Sequence, residues 1–271
     1  NMGNNVATLS KMMKGDTTAA AEVLTTAMNQ FGVSLDDPMA ASDRMWEMMN
    51  TMAAAAREGS AELPAIKVAL EQCGMAAKAA GVSFEETNAA IQVLDKAGKK
   101  GSEGGVALRN VMSTLAQGRF LPKDVREELS AAGISVNDLT DKSKSLAERL
   151  AILKPVMADD ALFSKLFGKE NSAAAMALVQ GIPKVEQWTE AITGMTTAID
   201  QADIVMATYN ERLSRVQAKF DDFKISIFNS CGEMGIWVQV VMSAIMPLAQ
   251  LLPLIAGLVK GFVAIKKLQI W

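Results

Sequence analysis

A short motif occurs three times in the chain and limits what the chain can fold into, because it predicts tight corners between helices. It reads GVSLDD from Gly32, GVSFEE from Gly81 and GISVND from Gly133, with spacings of 49 and 52 residues. In each copy the glycine can adopt the left-handed conformation that ends a helix, and the branched apolar residue can pack back on that helix. The serine can cap the next helix, and an acidic residue three positions later can complete a capping box, as for Ser83 and Glu86.

The composition also favours helices. Half of the chain is hydrophobic, only 5% is aromatic, and 18 of its 271 residues are methionine. Alanine and methionine favour helices, whereas β-branched and aromatic residues favour strands. No run of alternating apolar and polar residues predicts a sheet, although residues 133–136 fit a short extended piece. We therefore predict an all-α fold, in which an array of short helices precedes a long heptad-patterned helix and an apolar C-terminal helical segment.

Capping residues, glycines and prolines predict where the helices of the array begin and end. The predicted starts are Asp16, Pro38 with Asp37 as an alternative cap, Ser60, Ser83, Ser102, Asp124, Ser145, Asp159 and Ser172. The predicted ends are Gly32, Gly98, Gly133, Lys154 before Pro155, Gly168 and Gly181. Helical spacing predicts two inward-facing apolar stripes, one of Met45, Trp46, Met49 and Met52 and one of Leu108, Met112 and Leu115.

Residues 98–109, GKKGSEGGVALR, have the composition of a phosphate-binding loop but not its order. A P-loop needs a lysine directly after its last glycine and a strand before it. Here Lys99 and Lys100 precede Gly101, and residues 84–97 have helical spacing. The dinucleotide pattern G-x-G-x-x-G is also incomplete, so we predict no nucleotide site.

The same loop has a structural interpretation instead. We expect Gly98 to end one helix and Ser102 to cap the next. Gly104 and Gly105, which have no side chains, would let the first turn of that helix pass close to another backbone.

Composition excludes several kinds of chemistry. The chain has no histidine, which removes Ser-His and Cys-His catalysis and most zinc sites. Cys73 and Cys231 lie far apart in helical patterns, so neither a disulfide framework nor a metal site is predicted. Acidic pairs at 85–86 and 159–160 lie at predicted helix starts, where they favour the helix dipole. The net charge of −3 does not fit a general nucleic-acid binder. We predict no enzyme and no cofactor, with an uncharacterised helical enzyme as the remaining alternative.

From residue 185 the apolar pattern becomes a heptad repeat, with thirteen apolar positions at alternating steps of three and four. They are Val185, Trp188, Ile192 and Ala202, together with nine positions that we call the seam: Met195, Ile199, Met206, Tyr209, Leu213, Val216, Phe220, Phe223 and Ile227. A strict seven-residue repeat favours a left-handed supercoil with partner helices. An amphipathic helix packed on the N-terminal array also fits. We predict self-association through the seam.

Residues 234–259 form an uncharged stretch of 26 residues. About 20 apolar residues suffice to cross a bilayer as a helix, but Pro247 and Pro253 would kink it. Three interpretations are open: a membrane-insertable segment, the dry centre of an oligomeric bundle, and a buried core helix. We predict three domains, a compact helical array at 1–181, a long amphipathic helix at 182–233 and the apolar segment at 234–271. Because the chain begins with Asn1 and stops just after an apolar run, we expect it to be one piece of a longer protein.

Two segments carry motifs of one family; the motif in the first is quite specific, and the second is supportive. The first part of residues 81–112 follows G-[VI]-S-x-E-E-x-x-A-A-[IL] through Gly81, Ser83, Glu85, Glu86, Ala89, Ala90 and Ile91. A glycine, Gly98, precedes the second part, K-G-S-x-x-G-x-A-L-R, which is matched by Lys100, Gly101, Ser102, Gly105, Ala107, Leu108 and Arg109. Residues 162–181 follow L-F-G-x-E-[AN] through Phe167 and Gly168, and an alanine-rich helix comes next. These segments resemble the core region of phage tail tape measure proteins or of the equivalent proteins of contractile injection particles. One departure is Val106, where the family often has threonine.

The resemblance implies a structural, non-enzymatic protein of a phage or prophage. Members of that family fill the lumen of the tail tube as extended, helical, multi-copy chains, set the tail length, and leave ahead of the DNA during genome ejection. The implied partners are further copies of the chain, with a trimer favoured, tail tube and tail tip proteins, tail assembly chaperones and the host inner membrane, but no specific nucleic acid. The implied locations are the virion tail, the host cytoplasm during assembly and the host membrane during ejection. The alternative function is a membrane-active, pore-forming or toxin-like helical module, which depends on residues 234–259.

Overall fold

The computed structural model of the chain describes residues 2–13, 15–196 and 198. These residues form α-helices joined by short turns, and none of them lies in a strand, which confirms the predicted all-α class. The helices are α1 (Met2–Met12), α2 (Thr17–Phe31), α3 (Pro38–Glu58), α4 (Leu63–Ala79), α5 (Phe84–Lys96), α6 (Gly101–Leu115), α7 (Lys123–Ala131), α8 (Val136–Thr140), α9 (Leu146–Ala151), α10 (Asp160–Phe167), α11 (Ser172–Gln180) and α12 (Ile182–Ile192). Two 3₁₀ turns, Gly118–Phe120 and Lys154–Val156, precede α7 and α10.

Helices α2 and α4 lie side by side and run in the same direction. Lys67 Nζ pairs with the Glu22 carboxylate at 3.2 Å, and the Met75 N–H donates to Gln30 Oε1 at 3.0 Å. Both contacts join residues 45 apart, so the two helices keep one register along their length.

Helix α6 continues this layer on the other side of α4. Gly105 of α6 lies against the backbone of Ala69, and the charge of Arg109, one turn later, acts on Cys73 of α4. Contacts that advance together along both helices mean that α6 runs parallel to α4. We call α2, α4 and α6 the parallel layer.

Helices α3, α5 and α12 form a second layer that packs against the parallel layer. Gly59, just after α3, lies against Gln92 near the end of α5, so α3 and α5 both end at the same side of the array. Gly181 lies against Val93, so α12 begins where α5 ends and runs antiparallel to it. The buried residues of α12 are Ile182, Val185, Trp188 and Ile192, which places the first three heptad positions in the core of the array.

The three repeated motifs form the predicted corners. Gly32, Gly81 and Gly133 have φ values of 60°, 74° and 77°. In each copy the N–H of the following residue donates at 2.9 Å to the carbonyl five residues earlier, which is the Schellman arrangement. Because α2 and α4 are parallel, the first two corners lie at the same end of the array. There the rings of Phe31 and Phe84 meet edge to face with centroids 5.0 Å apart. We call this side of the array the corner end.

Several predicted caps are confirmed. The side chains of Asp16, Asp37, Ser83 and Asp159 each accept a hydrogen bond from the first turn of the following helix. Asp37 rather than Ser34 therefore caps α3. Ser145 forms a full capping box with Glu148.

Three other predicted caps are wrong. Ser135 of the third motif precedes α8, but its side chain accepts no capping hydrogen bond from that helix. Helix α4 begins at Leu63, after Glu62, and Ser60 instead donates to the Asp95 carboxylate at 2.7 Å. Helix α6 begins at Gly101, so Ser102 lies inside its first turn and does not cap it. At α4 and α6 the residues just before the helix, Glu62 and Lys100, have the extended backbone of a cap but form no side-chain capping hydrogen bond.

Three further expectations need correction. The helix predicted from Ser145 to Lys154 ends at Ala151 and is followed by a 3₁₀ turn that contains Pro155. Residues 133–136 do not form an extended piece, since α8 already begins at Val136. The heptad helix is not continuous from Val185, because α12 ends at Ile192 and Gly194 has a φ of 71°.

In the part of the chain that the structure describes, no helix is long and apolar enough to cross a membrane. The apolar segment 234–259 and the seam positions after Met195 lie outside the described residues. The three predicted domains stay a prediction.

Candidate functional site

The family motif builds the second corner and the central helix α5. Gly81 ends α4 in the left-handed conformation, and a Cβ added to it would lie 3.1 Å from Lys142 Cβ. Ser83 Oγ accepts from the Glu86 N–H at 3.0 Å and so caps α5. Between Glu86 and Asp95 every residue of α5 is buried. The helix therefore lies inside the array, packed against α3, α4, α6, α11 and α12.

Glu86 does not complete a capping box with Ser83. Its Oε1 accepts a hydrogen bond at 2.9 Å from the N–H of Ala147, the second residue of α9. The carboxylate thus satisfies one of the free donors at the start of another helix, where its charge also favours the helix dipole. A motif residue that the sequence assigns to a local cap connects two distant helices instead.

Arg149 completes this connection and was missed by the sequence analysis. It is only 1% exposed, and Nη1 donates to the Ala80 carbonyl at 3.0 Å while Nε donates to the Ser145 carbonyl at 3.3 Å. Burial lowers the pKa of the guanidinium, and the negative charges of Glu86 and Asp141 oppose that shift. Its Nη2 has no partner among the described residues. A single arginine in a charged helix gives no local signal that it is buried.

The other end of α5 is fastened by two more polar contacts. Gln92 accepts from the Ala61 N–H at 2.7 Å and donates to the Ala61 carbonyl at 3.0 Å, so one amide satisfies both backbone groups of that residue. The buried Asp95 accepts the hydroxyl hydrogen bond from Ser60. These contacts hold the α3–α4 connection, which explains why polar residues occur on a buried helix.

The second half of the motif joins α6 to α4. A Cβ on Gly105 would overlap the Ala69 carbonyl oxygen and lie 2.8 Å from its Cα, and one on Gly104 would approach the Lys99 carbonyl oxygen to 2.5 Å. This confirms the predicted close approach of the first turn to other backbone. Gly101 begins the helix with a φ of 49°.

The remaining motif residues are partly buried and partly exposed. Gly98 follows α5 with a φ of 91°. Leu108 and Phe167 are buried, and Gly168 ends α10 with a φ of 78°. Ser102 and Arg109 are exposed on α6.

The two motif segments also meet in space. Asn110 of α6 donates to the side-chain oxygen of Asn171 at 3.3 Å, and Asn171 in turn donates to the Phe167 carbonyl at 3.3 Å. The structure therefore brings residues 101–110 and 167–171 together. Met195, the only seam residue in the described part, is 38% exposed after α12.

The chemistry of these groups is that of capping, pairing and packing. An open cleft of about 510 Å³ lies beside Gly81, Ser83 and Glu86, and its other lining residues include Lys142 and Glu190. Within the described residues no cluster of acidic or cysteine side chains could hold a metal ion. Burial raises the pKa of the Cys73 thiol to about 12, so at neutral pH it is protonated and a poor nucleophile.

The described residues form an all-helical array. Its family-motif residues fix the positions of the helices relative to one another through caps, close glycine contacts and buried polar pairs. The model of the phage-related minor tail protein family matches residues 1–168, so the chain belongs to this family of phage tail proteins. The matched range contains the whole of α1 to α10, including the central helix and its polar contacts.

A relative with a defined name supports the resemblance noted from the motifs. The chain is 24% identical over 227 residues to the tape measure protein of Pneumococcus phage Dp-1. The aligned region covers 81% of this chain but 19% of that protein, so the chain spans about a fifth of the length of this relative. No solved structure matches the chain. The predicted resemblance to tape measure proteins is confirmed, and the chain has a structural role in a phage tail.

Proposed function

We propose that the chain is a segment of a tape measure protein that fills the lumen of the tail tube, helps to set the tube length and leaves the tube during genome ejection. The observation that carries this proposal is the similarity to a named tape measure protein over 81% of the chain. We further propose that the chain has no enzymatic activity, in line with a motif region made of caps, glycine contacts and buried polar pairs.

The physical basis for a ruler is the helix itself, since an α-helix adds about 1.5 Å of length per residue. The heptad pattern that continues from Met195 through Ile227 predicts a helical stretch that can associate without a globular partner. We propose that residues 195–227, which carry the seam, set the length. We also propose that the chain self-associates through the seam, with a trimer favoured.

The test is a duplication in the parent gene. Repeating residues 199–226 adds 28 residues, or four heptads, and keeps the seam register. At about 1.5 Å per residue the tail should lengthen by about 42 Å. Tail lengths are measured by electron microscopy over many particles.

A matched control carries the same 28 codons after the stop codon, so that genome length is equal and the protein is unchanged. The control tails should keep the parent length. Tails that stay at the parent length in the duplication strain as well would show that this segment sets no length.

Partners and location follow from the same proposal. We propose contacts with tail tube and tail tip proteins and with tail assembly chaperones, location in the tube lumen after assembly in the host cytoplasm, and no specific nucleic-acid site. We propose that residues 234–259 enter the host inner membrane during ejection. Liposomes provide the test: the full chain should release an enclosed dye, and Leu251→Lys should reduce the release because a charge within an apolar span opposes insertion.

A further inference from the structure

The chain returns to the core of the array after α12 has ended. Gly194 follows α12 with a φ of 71°, and the next two residues, Met195 and Thr196, are not helical. Ala198 is helical again and is completely buried. Ala198 therefore lies in the first turn of a new helix and packs inside the array.

Asn50 of α3 holds this first turn. The Ala198 N–H donates at 3.0 Å to Oδ1 of Asn50, which lies 148 residues earlier in the chain. The N–H groups of a first helical turn have no acceptor within their own helix, so Asn50 acts as a cap that is supplied by another helix. Because Asn50 is itself buried, breaking this contact would leave a donor and an acceptor without partners, which is costly.

The amide of Asn50 is oriented by its own helix. Its Nδ2 donates at 2.9 Å to the carbonyl of Trp46, one turn earlier, and this leaves Oδ1 to accept from Ala198. Asn88 of α5 has the same arrangement, since it is buried and its Nδ2 donates to the Phe84 carbonyl at 2.8 Å. Its Oδ1, however, accepts no hydrogen bond from the described residues. The contact with Ala198 is thus what distinguishes Asn50 from an otherwise equivalent buried amide.

The new helix is the one to which the heptad pattern assigns the seam, because Ile199 is the next seam position. Starting a helix is unfavourable, since the first turn fixes several residues in return for one hydrogen bond. A first turn that is buried and bonded to α3 offsets part of this cost. It also decides where the helix begins, which the heptad pattern does not, because that pattern continues without interruption from Val185.

We propose that Asn50 anchors the first turn of the seam helix, so that the folded array nucleates this helix and fixes the residue at which it begins. The proposal rests on the proposed function in one respect, which is that the seam helix sets the length. The array then supplies the origin from which the length of that helix extends. Asn50 is a positioning residue in this role.

Hydrogen exchange of the full chain, resolved to single amides by mass spectrometry, tests the anchor. Asn50→Leu keeps a side chain of similar size and removes the acceptor. We expect the Ala198 amide to exchange about tenfold faster in this variant, while the amides of α12 keep their wild-type rates. Amides of residues 199–205 should also exchange faster, with an effect that declines along the chain. An Ala198 amide that keeps its wild-type rate in folded Asn50→Leu would overturn the proposal.

Asn88→Leu is the matched control, because it removes an equally buried amide that has no contact with Ala198. The Ala198 amide should exchange in this variant at the wild-type rate. If Asn88→Leu and Asn50→Leu accelerate Ala198 equally, the effect is a general loosening of the array and Asn50 is not the anchor.

A measurement on the unmodified chain tests the anchor even if Asn50→Leu fails to fold. The Ala198 amide of the full chain should exchange about a hundredfold more slowly than the same amide in an isolated peptide of residues 190–205. Equal rates would overturn the proposal. These results do not depend on tail length, so an unchanged tail in the duplication strain would contradict the proposed function alone, whereas an unprotected Ala198 would contradict the anchor alone.

Discussion

The carboxylate of Glu86 accepts a hydrogen bond at 2.9 Å from the N–H of Ala147, which lies 61 residues later in the chain. Glu86 is also the carboxylate that most favours the charged form of the buried Arg149. One side chain of the family motif thus satisfies a helix start and balances a buried charge.

Removal of this carboxylate should be costly. Glu86→Ala leaves the Ala147 N–H without its acceptor and removes the negative charge that most favours charged Arg149, so the free energy of unfolding should fall by about 2–4 kcal/mol. Glu86→Gln keeps an acceptor and should lose less. Urea unfolding followed by circular dichroism measures both. Glu85→Ala is the control, because Glu85 is half-buried beside Glu86 and its carboxylate forms no hydrogen bond or ion pair with the other described residues. Its unfolding free energy should stay within about 0.5 kcal/mol of the wild type. Equal losses for the two alanine variants would contradict the assigned role.

The contact between Gly105 and Ala69 predicts intolerance of even one methyl group. Gly105→Ala should lower the free energy of unfolding by about 1–3 kcal/mol, because the added Cβ must push α6 away from α4. Helix propensity alone predicts the opposite sign, a gain of about 1 kcal/mol.

Ser102→Ala in the same helix is the companion measurement. If Ser102 capped α6, its loss would cost about 1 kcal/mol. Since the helix already begins at Gly101, we expect a change within about 0.5 kcal/mol. Chemical unfolding measures the free energy of unfolding of both variants. A loss of about 1 kcal/mol for Ser102→Ala would show that Ser102 caps α6, and a stabilised Gly105→Ala protein would rule out the close approach to Ala69.

The corners differ in how much space surrounds their glycines. At Gly133 a Cβ would meet no atom within 4 Å, whereas at Gly81 it would touch Lys142. Gly133→Ala should therefore cost about 1–2 kcal/mol from the left-handed backbone alone, and Gly81→Ala should cost more. Thermal melts of the two variants give the comparison, which fails if Gly133→Ala is the more destabilised.

The buried thiol predicts a dependence on alkaline pH. The pKa of Cys73 is raised to about 12 in the folded chain, while a thiol in an unfolded chain ionises at about pH 8.5. Between these values the folded state binds more protons than the unfolded state, so the stabilising difference is complete below about pH 8.5 and is lost as the pH rises toward 12. Cys73→Ala removes this contribution, and its unfolding free energy should fall less steeply with pH than that of the wild type. Urea titrations from pH 8 to 11 measure the unfolding free energy of both proteins. If it falls equally steeply with pH in the variant and the wild type, Cys73 makes no such contribution.

Local features of the fold could be predicted from sequence because they depend on residues close in the chain. The left-handed glycines at Gly32, Gly81 and Gly133 follow from backbone geometry, as do caps such as Asp16 and Asp159. The close approach at Gly105 was also predicted, since paired glycines in a first turn leave room for another backbone. The residue that Gly105 approaches, Ala69 of α4, was not predicted, because nothing in the sequence indicates which helix lies opposite α6.

The sequence by itself determined the helical class, the corners and the family motif, because propensity, capping and left-handed turns act within a few residues. Only the tertiary structure decided that Glu86 accepts a hydrogen bond from the first turn of α9, that Ser60 donates one to Asp95 and that Arg149 is buried. The physical reason is that a polar side chain has several possible partners of similar energy, and the choice among them depends on which helices α5 brings within hydrogen-bonding distance.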